Sequence, residues 1–313
     1  MEFINLSEKP LKLAGKKEGL LKLVVLPDYC PGRGLLPTGI VAVYDRETHE
    51  ISEEYLGQDA GCGMTLARFE TPLRTDLEQI AYNTSCQLFW QGSRKRGIGG
   101  GNHFISFYDV TSTDGHPLGL KQKDSVVLIH TGSRLIKREK KLDSKDNKHE
   151  IEEYEKIRDN AELNRRYILE LVKKSSPNRL KVLLDRAHNT MELTPNKIIY
   201  RKGAIKLLPG EIGIIPSTIG GDAVLVRGRN NIYETENSMC HGVGRRVSRS
   251  EAKTLFPDFD ELRKRVYIPN QIEDRQIWTE HPDFYQNLEE VLIKAKDYID
   301  VIGRLRQRAT IMQ

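Results

Sequence analysis

The chain has 313 residues, of which 38% are hydrophobic and 30% are charged, a composition typical of a soluble globular protein whose core needs no disulfide. No apolar run is long enough to cross a bilayer and the first residues show no signal peptide, so we expect a cytosolic protein without a membrane partner. A net charge of +5 permits a polyanionic partner without requiring one.

The N-terminal third shows the apolar pattern of buried strands. Leu21–Leu26 and Ile40–Val43 predict two strands, and residues 57–69 predict a loop followed by a third. A helical pattern follows over 76–90. It leads into the most glycine-dense passage of the chain, residues 97–104.

The remainder alternates short apolar runs with turns. Residues 125–129 predict a strand that ends at His130, and further strands are expected between 197 and 226. The highly charged stretch 137–174 has apolar residues at helical spacing, which indicates a helical excursion on the surface. We also expect an amphipathic closing helix over 288–306. No repeat or linker requires a domain boundary.

Several residues that can bind a metal stand at strand ends or in glycine-flanked loops. A carboxylate precedes a thiol by three residues, and four histidines share the same kind of setting: Asp59, Cys62, His103, His130, His188 and His241. Each alone is explained as well by a buried cysteine or a hydrogen-bonded histidine. Together, the mixed O, N and S donors exceed one tetrahedral shell and suit one or two first-row ions such as Mn²⁺, Zn²⁺ or Fe²⁺.

Three glycine-rich loops indicate phosphate binding. Residues 97–102, 131–134 and 241–245 expose backbone N–H groups, and the last two end in Arg134 and Arg245. Tight turns explain most such glycines. Beside a metal cluster, however, these loops suggest metal-assisted phosphoryl or nucleotidyl transfer.

Six short blocks occur in the order seen in the RtcB-type RNA-splicing ligases, which the chain resembles from about Leu26 onwards: Asp59-Ala-Gly-Cys-Gly-Met, Gly-Gly-Gly-Asn102-His103-Phe, His130-Thr-Gly-Ser-Arg134, His188-Asn189, Arg201-Lys202-Gly-Ala and His241-Gly-Val-Gly-Arg245. The resemblance implies an α+β fold. It implies one compact domain over 1–313, with central β-sheets flanked by helices and a metal-lined cleft.

The resemblance also implies an activity. It is that of an Mn²⁺- and GTP-dependent ligase that joins an RNA 3′-phosphate or 2′,3′-cyclic phosphate to a 5′-hydroxyl, in RNA repair or tRNA splicing. The nucleophile would be His241, which would carry GMP covalently. An archease-like activator is a further partner that the resemblance suggests.

Residue by residue, the resemblance assigns three groups around His241. Two manganese ions would be held by Asp59, Cys62, His103, His130 and His188. The nucleotide would be held by Asn102, Ser106, Asn189, Pro216, Ser217, Thr218, Ile219, Gly242, Val243 and Gly244. The phosphates and RNA ends would meet Arg134, Lys202 and Arg245.

The departures from the family pattern fall at the nucleotide. Ser106 stands where the family usually has an acid, Ser217-Thr218 where it has Gly-Ser, Ala223 where a serine is expected and Met312 near an expected lysine. We therefore hypothesise that guanylyl transfer is retained while base recognition is altered or relaxed. Two alternatives stay open: an enzyme that caps 3′-phosphate ends of RNA or DNA, and a non-catalytic relative that binds RNA or metal.

Overall fold

The computed structural model describes residues 1–11, 13, 18–30, 35–57, 60–91, 96–133 and 147–312. Within them the strands are β1 (Glu2–Asn5), β2 (Leu20–Cys30), β3 (Thr38–Asp45), β4 (Gly63–Phe69), β5 (Phe104–Thr113), β6 (Ser125–Thr131), β7 (Leu180–Ala187), β8 (Asn189–Leu193), β9 (Lys197–Lys202), β10 (Ala204–Lys206), β11 (Ile212–Pro216), β12 (Ala223–Gly228), β13 (Ser238–Cys240) and β14 (Ile299–Ile311). The α-helices are α1 (Leu77–Gln91), α2 (Asn147–Ser175), α3 (Arg249–Ala252), α4 (Phe259–Arg265), α5 (Asp274–Ile277) and α6 (Leu288–Ala295). Short 3₁₀ helices lie at Glu53–Tyr55, Pro117–Gly119, Asn230–Thr235, Trp278–Glu280 and Pro282–Phe284.

A seven-stranded antiparallel sheet forms the centre of the fold, in the order β11-β12-β14-β5-β6-β4-β7. Every residue of β6 is buried, because both faces of the sheet are covered there. On one face Ile80 of α1 and Ile168 of α2 pack in the same cluster as Phe107 and Val127 of the sheet. The two helices therefore form a layer against this face.

The sheet curls, so that its own two ends cover the other face. Ile214 of β11 and Leu225 of β12 share a core cluster with Met64 and Leu66 of β4, although several strands separate them in the sheet order. The curl leaves the first residues of β4 and β5 and the last residues of β6 facing the second sheet. Cys62, His103 and His130 lie at these strand ends.

The second sheet has the order β1-β2-β3-β9-β8, and β10 pairs separately with β13. Val24 of β2 and Val41 of β3 pack with Val224 of β12 and Leu292 of α6. These layers confirm the predicted α+β class, with central sheets flanked by helices. That residues 1–313 form a single domain stays a prediction.

The helix predicted over 288–306 is wrong in its second half. Helix α6 ends at Ala295, and β14 begins at Ile299 and becomes a central strand between β12 and β5. Exposed and buried residues alternate here: Arg306 and Arg308 are exposed, and Gln307 between them is buried. A period of two residues belongs to a strand and not to a helix.

The charged stretch 137–174 is described from residue 147, where α2 begins. Ten side chains of α2 are buried, so the helix contributes to the core as well as to the surface. Among the helices of the described ranges, none is both long and apolar enough to cross a membrane.

Candidate metal and nucleotide site

Four of the predicted metal ligands meet where several strands of the central sheet begin or end. Cys62 immediately precedes β4, His103 precedes β5, and His130 is the penultimate residue of β6. Because these strands run antiparallel, the starts of β4 and β5 lie against the end of β6, where both Met64 and Phe104 are register partners of His130. His188 follows β7, whose last residue pairs with the start of β4.

The donor atoms of these four side chains are close to one another. The Cys62 Sγ atom lies 3.3 Å from both His103 Nε2 and His130 Nε2, and His130 Nε2 lies 3.2 Å from His188 Nε2. Bonds to a transition metal of roughly 2.0 to 2.3 Å place two ligand atoms of one ion roughly 3.0 to 3.7 Å apart. The spacing and the donor chemistry therefore fit a divalent ion, with Cys62, His103 and His130 as the tightest group.

Burial keeps the histidines of this cluster in the form that binds metal. Desolvation lowers the pKa of His130 well below its usual value, and the neighbouring His103 lowers it further. Desolvation and then His241 lower the pKa of His188 in the same way. Both imidazoles are thus neutral at physiological pH, as metal ligation requires.

His241 lies beside this cluster, at the end of β13. Its ring centroid is 4.6 Å from that of His188, and its Nδ1 lies 2.7 Å from Oδ2 of Asp28 on β2. Asp28 is fully buried and also accepts a hydrogen bond from the backbone N–H of His241 at 3.2 Å. A carboxylate can only accept, so Nδ1 carries a proton, and the neutral form of the ring has its lone pair on Nε2.

The loop after His241 packs directly on β2. Gly244 has φ +67°, and a Cβ atom there would lie 2.0 Å from the carbonyl oxygen of Asp28. Only glycine permits this approach. The loop and the carboxylate that orients His241 are therefore fixed against each other.

These residues open onto a cavity of about 710 Å³. Its lining contains most of the residues that the sequence assigned to the nucleotide and the phosphates: Asn102, Ser106, Lys202, Pro216, Ser217, Thr218, Ile219, His241, Gly242, Val243, Gly244 and Arg245. His130 of the metal cluster also lines it. One continuous space thus joins the metal cluster, His241 and the predicted nucleotide residues.

A family model described as tRNA-splicing ligase RtcB matches residues 140–313, which is 174 of the 313 residues. The chain belongs to the RtcB family.

Similarity to individual RtcB proteins is partial. The RNA-splicing ligase RtcB of Escherichia coli K12 is 36% identical over 112 residues, which is 35% of this chain and 26% of that protein. The tRNA-splicing ligase RtcB of Nanoarchaeum equitans is 27% identical over 258 aligned positions, covering 62% of this chain and 54% of the relative. RNA-splicing ligase RtcB2 of E. coli ATCC 25922 is 26% identical and covers 98% of this chain and 92% of its own length. The chain therefore spans well under two thirds of the first two relatives and most of the third.

Three of the residues assigned by the RtcB resemblance are absent from the described cluster and cavity lining. Asp59 and Arg134 lie outside the described residues. Asn189 is buried but is not among the residues that line the cavity, and its Oδ1 accepts a hydrogen bond from the backbone N–H of Gly203 at 2.6 Å. That contact fixes the turn after Lys202, a residue that does line the cavity.

One end of the cavity is lined by neutral hydrogen-bonding groups. Ser106 and Tyr108 of β5 stand opposite Thr310 and Gln307 of β14 in the register of the sheet. The Ser106 and Thr310 hydroxyls are 2.7 Å apart, and Gln307 Nε2 donates to the Tyr108 hydroxyl at 3.2 Å. Burial raises the pKa of Tyr108 to about 12, so this hydroxyl stays protonated. The sequence analysis missed Tyr108, Gln307 and Thr310, although the alternation of β5 already placed Tyr108 on the face of Ser106.

Cationic groups line another part of the cavity and are held by one buried acid. Glu280 is 3% exposed and accepts hydrogen bonds from Arg245 Nη1 at 3.3 Å and from Arg249 Nε at 3.2 Å. The Tyr285 hydroxyl also donates to Glu280. Arg245 Nη2 is buried and has no hydrogen-bond partner among the described residues. The sequence analysis missed Arg249 and Glu280, for which no motif provided a signal.

Helix α2 braces the loops of the metal cluster. The Asn164 side chain donates to the carbonyls of Gly97 and Gly132 and accepts from the Gly97 N–H, each at 2.9 Å. Arg165 donates to the carbonyl of Gly61 at 3.2 Å, next to Cys62. Outer contacts of this kind orient metal-binding side chains in metalloproteins.

Proposed function

We propose that this protein is an RNA ligase that joins a 3′-phosphate or 2′,3′-cyclic phosphate end to a 5′-hydroxyl end. The reaction would use GTP and Mn²⁺ and pass through GMP bound covalently to His241. RNA repair and tRNA splicing are both compatible settings, and the cytosol is the proposed compartment. Membership of the RtcB family supports the class of reaction.

The observation that supports this chemistry best is the pairing of His241 with Asp28. The hydrogen bond of 2.7 Å from Nδ1 to the buried carboxylate leaves Nε2 with its lone pair. The same ring lies 4.6 Å from that of His188 in the metal cluster. An imidazole oriented in this way beside a metal cluster is suited, in its neutral form, to attack phosphorus and to leave again afterwards.

The proposed reaction has three transfer steps. His241 Nε2 attacks the α-phosphorus of GTP, so that an N–P bond forms, the bond to the leaving pyrophosphate breaks, and Asp28 stabilises the charge on the ring. An oxygen of the RNA 3′-phosphate then attacks the same phosphorus and the N–P bond breaks. Finally the 5′-hydroxyl attacks the RNA phosphate, loses its proton, and GMP leaves.

The metal would be held by Cys62, His103, His130 and His188, with Asp59 as the further ligand that the sequence assigns. Bound there, divalent ions would neutralise phosphate oxygens during transfer. Arg245 and Lys202, which line the cavity, would bind the remaining phosphate charge.

Two assays test the proposal together. The protein with Mn²⁺ and α-labelled GTP should gain a label that is stable to denaturation, and should join RNA strands bearing a 3′-phosphate and a 5′-hydroxyl. Labelling without joining would favour the capping alternative. No label with any nucleotide would overturn the proposal.

Asp28 offers a prediction about the nucleophile. Asp28→Asn retains the shape of the side chain, but an amide N–H can face Nδ1, which stabilises the wrong tautomer of His241. We expect adduct formation to slow by about a hundredfold or more, by analogy with other oriented histidines. Single-turnover labelling measures this.

Asp45→Asn, at the partly buried last residue of β3 and not among the residues that line the cavity, is the matched control and should label at the normal rate. An Asp28→Asn protein that labels as fast as the control would show that Asp28 does not orient His241. Because Asp28 is fully buried, circular dichroism of both variants must accompany the assay.

The neutral end of the cavity supports relaxed base selection. Hydroxyl groups such as those of Ser106 and Thr310 can donate or accept, whereas the two adjacent N–H donors of guanine are matched best by a carboxylate. We therefore expect labelling by ATP within about tenfold of labelling by GTP, since the described side chains at this end, Ser106, Tyr108, Gln307 and Thr310, include no carboxylate.

Ser106→Glu should introduce the missing discrimination. We expect its preference for GTP over ATP to rise by about ten- to hundredfold relative to the parent protein. Thr113→Glu, at the far end of β5, is the control. A strict preference for GTP over ATP in the unaltered protein would contradict relaxed base selection, regardless of the preference that Ser106→Glu shows.

A further inference from the structure

A pair of aromatic side chains stands on the surface next to the cationic part of the cavity. Phe256 is 90% exposed, the highest exposure of any large hydrophobic side chain in the described ranges. Its ring meets that of Trp278 edge to face, with centroids 6.1 Å apart and planes at 87°. Phe256 thus stays open to solvent over most of its surface while Trp278 contacts its ring.

The pair is rigidly connected to the cavity. Trp278 Nε1 donates to the carbonyls of Ala252 and Leu255, at 3.3 and 3.1 Å, which fixes the chain just before Phe256. Two residues after Trp278 comes Glu280, the buried acid that lines the cavity. The aromatic pair and the cavity are thus built from the same short segments.

Basic residues lie in the chain between the cavity and Phe256. Arg249 lines the cavity, is held by Glu280 and has a half-exposed side chain. The exposed Lys253 lies between Arg249 and Phe256 in the chain. From Arg245 to Phe256 there are four basic residues and one acid. Glu280 pairs with Arg245 and Arg249, and Glu290 pairs with Arg246, so the accessible charge is that of Lys253 and the exposed half of Arg249. A stacking surface preceded by cations is how proteins bind single-stranded nucleic acid.

We propose that Phe256, supported by Trp278, stacks on a base of the RNA strand just outside the cavity, and that Arg249 contacts the phosphate between this base and the bound end. The proposal rests on the proposed function, because it takes the cavity to hold an RNA end. The occupant is single-stranded RNA, since the charge along the path matches a phosphate backbone.

Binding of a fluorescein-labelled single-stranded RNA with a 3′-phosphate to the Mn²⁺-loaded full chain tests the platform. Phe256→Ala should raise Kd by about five- to hundredfold, and Phe256→Tyr should restore it to within about threefold, since any aromatic face can stack. Because Phe256 is exposed, its replacement removes no core packing, and thermal denaturation checks that both variants are folded.

Phe89→Ala is the matched control, because Phe89 is 72% exposed at the end of α1 and is not among the residues lining the cavity. Its Kd should equal that of the parent. RNAs with 2-aminopurine at successive positions from the 3′ end should show quenching at one position, and Phe256→Ala should remove it.

Three results would overturn the platform: an unchanged Kd in Phe256→Ala, an equal loss in Phe89→Ala, or a dimer that dissociates in Phe256→Ala without any change in RNA affinity. The last would assign the aromatic pair to a second copy of the chain. If the parent protein forms no nucleotide adduct, the proposed function fails, while the ratio of Kd values still decides the platform.

Discussion

Replacing His241 with alanine is expected to abolish the covalent nucleotide adduct completely. The adduct requires a nitrogen at this position, and the other histidines of the site are already engaged in the cluster, where the Nε2 atoms of His130 and His188 lie 3.2 Å apart. Labelling with α-labelled GTP, followed by intact-protein mass determination, should show a mass increase of one GMP in the parent protein and none in His241→Ala.

His149→Ala is the appropriate control, since His149 is exposed near the start of α2. It should label normally. The metal content of His241→Ala should stay close to that of the parent, because the four converging ligands are unchanged. A persistent adduct in His241→Ala would place the nucleophile elsewhere and overturn the proposed mechanism.

Replacing Cys62 with serine is expected to release the metal. The Cys62 Sγ atom lies within 3.3 Å of two imidazole nitrogens, so a thiolate there contacts the same ion as both histidines. A serine hydroxyl is a far weaker ligand for first-row ions and does not ionise at neutral pH. Metal affinity should fall by at least about a hundredfold, measured by competition with a chelator and elemental analysis.

Cys86→Ser provides the matched comparison. Cys86 lies on α1, where its Sγ accepts a weak hydrogen bond from Gln271 at 3.5 Å, away from the cluster. It should retain the metal content of the parent. Equal metal loss in the two variants would show that the effect reflects general destabilisation and not ligation by Cys62.

Much of the fold could be predicted because apolar patterns determine local structure strongly. The predicted strands near residues 21–26, 40–43 and 125–129 correspond to β2, β3 and β6, and the helix predicted over 76–90 corresponds to α1. The error at β14 arose because the spacing of Val291, Leu292 and Ala295 is truly helical. The change of period after α6 was present in the sequence but was not recognised.

The candidate ligands could be proposed because cysteine and histidine in glycine-flanked loops are rare and chemically distinctive. Their convergence depends on the pairing of β4, β5 and β6, which no local pattern specifies. Four of the five predicted ligands lie within the described residues, and the structure brings their donor atoms together, while their binding of metal stays a prediction.

The supporting residues could not be predicted, because their roles arise only from tertiary contacts. Asp28 is 213 residues from His241 in the chain, and Asn164 is 67 residues from Gly97. An aspartate in a strand and an asparagine in a charged helix carry no signal of such partners. Glu280 likewise gains its role only when Arg245 and Arg249 fold beside it.

The position of β14 gives the two halves of the site different folding histories. The four predicted ligands that the structure describes come from residues 62–188, and their strands β4 to β7 are neighbours in the sheet. The wall with Ser106 and Thr310 closes only when segments 204 residues apart meet, and contacts of such separation form slowly. We therefore expect metal binding to begin before nucleotide binding during refolding, because nucleotide binding requires β14 to be in place. Refolding followed by both ligands would resolve two successive events.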